Sequence, residues 1–318
     1  MMQQYMSIKN KYKDAILFFR LGDFYEMFFD DAIVASRELE ITLTQRDCGL
    51  KEKAPMCGVP HHVADTYVSR LVSKGYKVAI CEQLEDPSIA KGIVKRDVIR
   101  VVTPGTITDS NVLEEKRNNY LVSIYLDDFG VGISYVDNST GEMYTTEYSS
   151  SLENNYRFII DELGKILPSE ILCNEFFMRS KKYMYIIRNR INPFFNSYEN
   201  VKGIDESNKK NIIDLFDDKS LEDLKISNKM YSILSTSRLI EYLYNTQKNS
   251  LDHINNLIYY EPKDYMIMDI NTRINLEIIE TIMSKSKKGA LIHTLDKTST
   301  AMGGRLLKNW LEQPLLYR

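Results

Sequence analysis

The chain of 318 residues has no run of 18 apolar residues, no Cys-x-x-Cys pair, no surplus of positive charge and no phosphate-binding loop. Without a long apolar run there is no signal for a membrane-spanning helix. The start, MMQQYMSIKN, lacks the apolar segment of a secretory leader, so a cytosolic location is expected. Cys48, Cys57, Cys81 and Cys173 are scattered, and His61, His62, His253 and His293 do not complete a zinc spacing with them. Reduced thiols and no metal site are therefore expected. The net charge of −3 excludes a surface coated in cations but leaves room for a local patch. No G-x-x-x-x-G-K-S/T run occurs. The nearest stretch, SKSKKGALIHT, lacks the first Gly and the final G-K-S/T, so no ATP site closes by that loop and no cofactor is expected in these residues.

What is present points to several domains, because 318 residues exceed one ordinary hydrophobic core. Residues 1–107 alternate helix and strand signals. MMQQYMSIKNKY has helical spacing and AILFFRL is an apolar run of strand length ending at Gly22. DDAIVASRELE starts with two acids, as helix N-termini favour. ITLTQR reads as a strand, VADTYVSRLVSKG as an amphipathic helix closed by Gly75, and YKVAICEQ and VIRVVTPGT as strands. Residues 108–117 are polar and charged, as in a linker. Residues 118–245 open with YLVSIYLDD, GVGISYVDNS and GEMYTTEYS, an antiparallel meander, and continue with helices and a strand. That order fits a ribonuclease-H-like α/β layer. SNKMYSILSTSRLIEYLYNTQ reads as a long helix capped by Ser227 or Asn228. In residues 246–318, NTRINLEIIETIMSK and GGRLLKNWLEQP read as helices, so an all-helical domain is expected to begin there.

The stretch GDFYEMF, residues 22 to 28, poses the chemical question. In an extended segment residues i and i+2 face the same side, so Phe24 and Glu26 project together while Tyr25 faces away. One reading makes Phe24 core and Glu26 a solvated neighbour. The other makes Phe24 an apolar wedge that unstacks bases from the minor groove, at a cost that is least where pairing is already faulty. A carboxylate beside phosphates is repelled. Glu26 recovers energy only by accepting from a base N–H or, protonated, donating to a ring nitrogen. Two basic runs, KGIVKRDVIR (91–100) and RSKKYMYIIRNR (179–190), are either solvated faces or contacts to a polyanion. Asp127, Asp128 and Asp137 lie near strand ends, where turn formers are common. A metal-dependent nuclease would need such carboxylates around two metal ions.

Six stretches in order, MMQQYMSIK, LFFRLGDFYEMFFDDA, ASRELEITLTQR, PMCGVPHH, RLVSKGYKVAICEQLEDPSIAKG and VKRDVIRVVTPGT, closely resemble the mismatch-recognition domain of MutS-type DNA mismatch repair proteins. NNYLVSIYL and the helix ending in YLYNTQ are similar to that family's connector domain. YMIMDINTRINLEI and MGGRLLKNWLEQPL are similar to the start of its helical lever domain. The resemblance implies a stacking Phe24 and a hydrogen-bonding Glu26, with further DNA contacts from Leu21, Asp23, Arg46, Pro55, Met56 and Arg96. Lys91, Lys95 and Arg100 would assist, and Arg20 would serve as a structural ion-pair partner. It also implies a cytoplasmic homodimer acting on mismatched double-stranded DNA with a MutL-type partner. ATP and Mg2+ would belong to a further domain of the full-length protein. The chain departs from the family at Cys57, where Ala is common, and at His61, where an aromatic is common. Part of the family's N-terminal tail is expected to be missing before MMQQY, and the chain is expected to be a fragment ending inside the lever domain.

Overall fold

The computed structural model describes residues 1–47, 53–85, 94–107, 118–199, 203–216, 219–248, 250–261, 265–266 and 268–316. The chain folds as two compact units, Met1–Val112 with Leu243–Ser250, and Leu113–Tyr242 with Leu251–Arg318. Among the described residues no helix is long and apolar enough to cross a membrane. Cys48, Lys91 and the expected linker 108–117 lie outside the described residues.

The first unit contains α1 (Met2–Lys9), β1 (Ala15–Leu21), β2 (Phe24–Phe28), α2 (Phe29–Leu39), β3 (Thr44–Arg46), β4 (Ala54–Pro60), α3 (Ala64–Ser73), β5 (Lys77–Gln83) and β6 (Arg96–Val102). Its mixed sheet has the order β3-β4-β2-β1-β5-β6. Strand alternation divides the apolar residues between two faces. Leu17, Phe19, Phe28, Ala54, Cys81 and Val98 form one core with Tyr5 and Ile8 of α1. Phe18, Tyr25, Met27, Cys57 and Val59 face the other way, the side of α2, where the Cys57 thiol reaches the Ala32 carbonyl at 3.4 Å. Buried Asp31 ties α1 to the sheet, accepting from Lys9 Nζ at 2.8 Å, the Leu17 amide at 3.0 Å and the Tyr5 hydroxyl at 3.4 Å. Of ITLTQR only Thr44–Arg46 pairs as a strand.

The second unit opens with β7 (Tyr120–Leu126), β8 (Val131–Asp137) and β9 (Glu142–Tyr148), the expected meander. Next come α4 (Leu152–Ile166), β10 (Glu170–Asn174), α5 (Glu175–Met178), α6 (Lys181–Arg190), β11 (Phe194–Tyr198), α7 (Glu206–Leu215) and α8 (Met230–Gln247). The described elements end with β12 (Asn256–Tyr259), α9 (Ile270–Asn275), α10 (Leu291–Leu295) and α11 (Ala301–Glu312). The sheet order is β11-β10-β7-β8-β9-β12, with β10 parallel to β7, β11 parallel to β10 and β12 parallel to β9. A meander extended by parallel strands is the ribonuclease-H-like layer that the element order predicts.

One face of this sheet packs Val122, Ile124, Ile133 and Ile171 against Ile159 and Leu163 of α4 and Met184 and Ile187 of α6. The opposite face is small and hydroxylated. Ser134 Oγ lies 2.8 Å from Thr145 Oγ1, 2.7 Å from Ser235 Oγ and 2.8 Å from Thr236 Oγ1. Gly132 lets α8 lie close, because a Cβ there would run into the Tyr231 carbonyl.

Two expectations about local elements are corrected. Helix α8 starts at Met230, after Ser227 and Asn228, and its first amides are capped at long range. Glu147 of β9 accepts from the Tyr231 amide at 3.1 Å and the Ser232 amide at 3.2 Å. The helix expected over NTRINLEIIETIMSK stops at Asn275, because Glu277 takes a left-handed φ of 45°. β11 and β12 had no counterpart in the sequence reading. Both are edge strands recruited by parallel pairing to distant residues.

Candidate nucleic-acid interface

The turn between β1 and β2 is built from Gly22 and Asp23. Gly22 takes φ 60°, in the first central position that two-residue type II′ hairpins reserve for glycine. Contacts from Arg20 and His61 hold the tip, the His61 Nδ1 lying 3.2 Å from the Asp23 carbonyl. Arg20 Nε donates to the Gly22 carbonyl at 2.5 Å, and the His61 amide donates to the Asp23 carbonyl at 2.9 Å. His61 and His62 open the short 3-10 turn that leads into α3.

Phe24 follows at once, in register with Leu21 of β1 and Pro60 of β4. Its side chain is 46% exposed although its backbone is paired on both sides, so Phe24 is not a core residue. Tyr25 is buried on the opposite face and its hydroxyl donates to Glu82. The Arg20 guanidinium lies 5.5 Å from the Tyr25 ring centroid and 3.7 Å from the Glu82 carboxylate. Burial, reinforced by the Glu82 hydrogen bond, raises the Tyr25 phenol above its ordinary pKa. Arg20 is thus a structural ion-pair partner, and its triad with Tyr25 and Glu82 braces the strand behind Phe24.

Glu26 sits between Phe19 and Gly58 on the Phe24 face. Its carboxylate forms an ion pair with Arg46, which reaches over from the edge strand β3, and its side chain is only 15% exposed. Glu26 is therefore not a solvated neighbour. Gly58 pairs opposite Glu26, where a Cβ would come within 3.3 Å of the Tyr25 carbonyl. Met56 and Arg46 share this face by register, and Leu21 and Met56 continue it as partly buried neighbours of the core. Pro55 alternates to the other face, and Asp23 is exposed in the turn.

Arg96 is engaged within the unit. Its Nε donates to the Arg20 carbonyl at 2.8 Å, and Nη1 donates to the Val94 carbonyl at 2.9 Å and to Gln4 Oε1 at 3.3 Å. The guanidinium lies 5.2 Å from the Phe19 ring centroid, and burial lowers its pKa. Arg100 is also partly buried and donates to the Thr106 carbonyl at 3.0 Å, whereas Lys95 is exposed.

Two of the three strand-end acids of the second unit, Asp127 and Asp137, are occupied as turn formers. Asp127 Oδ1 accepts from the Phe129 and Gly130 amides, each at 2.9 Å, and from the Tyr231 hydroxyl at 3.0 Å. Buried Asp137 accepts from the Ser139 amide at 2.9 Å, the Ser139 hydroxyl at 2.6 Å and Asn118 Nδ2 at 2.8 Å. Among the described residues no three His, Cys, Asp or Glu side chains gather as a metal site.

Sequence reasoning missed the Glu26–Arg46 pair and the close approach of Gly58 to the Tyr25 carbonyl. A glycine inside the strand pattern PMCGVP was the available signal of a close approach.

The family models of MutS domain I, MutS domain II and MutS domain III match residues 1–111, 119–255 and 271–318. The chain is 54% identical over 322 residues to the DNA mismatch repair protein MutS of Alkaliphilus oremlandii, covering 99% of this chain and 36% of that protein. It is 53% identical over 316 residues to the DNA mismatch repair protein MutS of Caldanaerobacter subterraneus subsp. tengcongensis, with the same coverage of 99% and 36%. The corresponding protein of Alkaliphilus metalliredigens is 52% identical over 320 residues, again covering 99% of this chain and 36% of the relative. Two mixed α/β units, the first carrying an exposed aromatic beside a neutralised carboxylate, define a class of multidomain protein that the three domain matches make specific. The chain belongs to the MutS family of DNA mismatch repair proteins. It spans about a third of the length of these relatives.

Proposed function

We propose that residues 1–107 recognise mispaired or unpaired bases in double-stranded DNA and so begin mismatch repair. Phe24 enters the minor groove at the flawed step and unstacks it. An intact step resists because unstacking costs a few kcal/mol, and a mispaired one resists less. Glu26 hydrogen-bonds the displaced base, and its charge penalises duplexes that offer no such bond. The single observation behind this reading is a 46% exposed Phe24 on a strand paired at both edges, beside a carboxylate on the same face.

Arg46 fits this chemistry. By partly offsetting the charge of Glu26 it moderates, without removing, the repulsion from phosphates, and it keeps the carboxylate beside the wedge. Leu21 and Met56 are apolar neighbours suited to the groove floor. Asp23 and Pro55 are more peripheral contacts, and Arg96 acts mainly by fixing the end of β1. No step runs through ATP or Mg2+, which the resemblance assigns to full-length family proteins. Homodimerisation and a cytoplasmic setting carry over with the same standing.

A second, compatible reading concerns protein contacts of the second unit. Phe129 is 76% exposed at the β7–β8 turn, which suits an anchor for a MutL-type partner.

Fluorescence anisotropy at two salt concentrations tests the first reading, with a G·T duplex, a one-base-loop duplex and a perfect duplex. Preference for the flawed duplexes that disappears in Phe24→Ala supports it. Unchanged discrimination in that variant rejects the assignment of Phe24.

A further inference from the structure

The second unit carries a cationic surface that the recognition chemistry above does not use. Between Glu175 and Glu199 the sequence has no acid, yet it holds Arg179, Lys181, Lys182, Arg188 and Arg190 in a chain whose net charge is −3. All five are exposed on or beside α6. None pairs with a carboxylate among the described residues. Arg179 lies 5.2 Å from the Phe176 ring centroid, Lys182 5.1 Å from that of Tyr183 and Arg188 5.6 Å from that of Phe195. Arg190 donates to Asn271 Oδ1 at 2.6 Å. Tyr185 stands 70% exposed among them. The periodicity of the helix puts Lys181, Lys182, Tyr185 and Arg188 on one side.

A cleft of about 510 Å³ opens at the N-terminal end of α6, lined by Tyr156, Phe176, Arg179, Ser180, Lys182 and Tyr183 among others. The Tyr156 and Tyr183 rings stack at 4.3 Å with an interplanar angle of 13°. Glu153 also lines the cleft, but Arg157 neutralises it at 2.7 Å. Asp269, whose charge is felt by Arg190 through its field, is held as the cap of α9 by the Thr272 amide at 2.7 Å.

We propose that α6 and the aromatic cleft at its start form a second DNA contact, which takes the phosphate backbone of a strand along the helix. The helix from Lys181 to Arg190 is about 14 Å long, enough for roughly two or three phosphates of a strand laid along it. An acidic protein segment would also be drawn to the charge. Phosphates with bases are the better match, because the exposed Tyr185 ring stands among the cations where a base can stack. This contact is sequence-independent and does not involve Phe24. It supplies affinity, while the wedge supplies discrimination.

The test uses the whole chain in a Phe24→Ala background, so that the wedge plays no part. Anisotropy at several salt concentrations compares this chain with one also carrying Lys181→Gln, Lys182→Gln and Arg188→Gln, on a perfect duplex and on a single strand. The expected result is about tenfold weaker binding at low salt and a log–log salt slope smaller by two to three, roughly 0.9 per lost phosphate contact. An unchanged slope and affinity overturns the proposal. So does loss of polyglutamate binding with duplex binding retained, which would make the occupant an acidic protein segment. Lysine acetylation of the unsubstituted chain, read by mass spectrometry, is independent of variant folding. Protection of Lys181 and Lys182 by DNA supports the contact, and equal labelling with and without DNA overturns it. Because the background lacks the wedge, failure of the Phe24 reading leaves these outcomes unaffected.

Discussion

Two hairpins of this chain each present a phenylalanine, and they do so differently. Phe24 follows the Gly22-Asp23 turn and lies within a strand paired on both sides, with Glu26 two residues on along the same face. Phe129 lies inside its turn, and the nearby acid Asp127 accepts hydrogen bonds from the Phe129 and Gly130 amides and from the Tyr231 hydroxyl of α8. The first ring has a rigid sheet behind it and a neutralised carboxylate beside it. The second has exposure alone. Exposure makes a contact surface, whereas a wedge also needs stiff backing and a polar group that can judge the result. The same contrast separates the sheets. Around β8 the second sheet is closed by α8, while the first leaves the Phe24 end of one face open.

The largest effect expected from breaking this contrast is on stability. Gly132→Ala drives a Cβ into the Tyr231 carbonyl and should destabilise the second unit by about 3 kcal/mol. Cysteine labelling reports which unit yields. Burial holds the Cys57, Cys81 and Cys173 thiols protonated, each pushed up to about 12, so none should react in the native chain. In Gly132→Ala, Cys173 of β10 should become reactive at lower urea than Cys57 of β4 and Cys81 of β5. Simultaneous labelling of all three would show that the units do not unfold separately.

Next in size is the loss of the wedge. Phe24→Ala should weaken mismatch binding by about 2 kcal/mol, roughly thirtyfold, with the perfect duplex little affected. Phe129→Ala should leave both unchanged, and an equal loss in the two variants would erase the distinction between the hairpins.

A smaller effect is expected at the ion pair. Arg46→Ala leaves Glu26 without its cation and should weaken binding to every duplex by about 1 kcal/mol, near the upper end for a partly exposed pair. Glu26→Gln should strengthen binding to the perfect duplex and so narrow discrimination from the opposite side. Arg46→Ala in a Glu26→Gln background should then have little further effect, and an undiminished loss there would mean that Arg46 contacts DNA without acting through Glu26.

Local pattern made much of the fold legible. AILFFRL maps onto β1 residue for residue, and the meander follows from three apolar runs separated by turn residues. The shared face of Phe24 and Glu26 follows from strand alternation alone. Features that depend on distant residues were not legible. Arg46 pairs with Glu26 across 20 positions, and Glu147 caps α8 across 84. The FFNSY and NLIY strands exist only because β10 and β9 offer them parallel edges. The inward turn of Arg96 depends on the Arg20 carbonyl 76 positions away. The basic run 179–190 was legible as charge. Its lack of carboxylate partners among the described residues became evident only once α6 was placed.

The most direct test of the central claim is the emission of 2-aminopurine placed beside a G·T mispair, measured at saturating protein. Insertion of Phe24 unstacks the probe and should raise its emission with this chain, and Phe24→Ala should abolish the rise while a perfect duplex stays dark with both. An equal rise with Phe24→Ala would contradict the account and place the unstacking element elsewhere in the molecule.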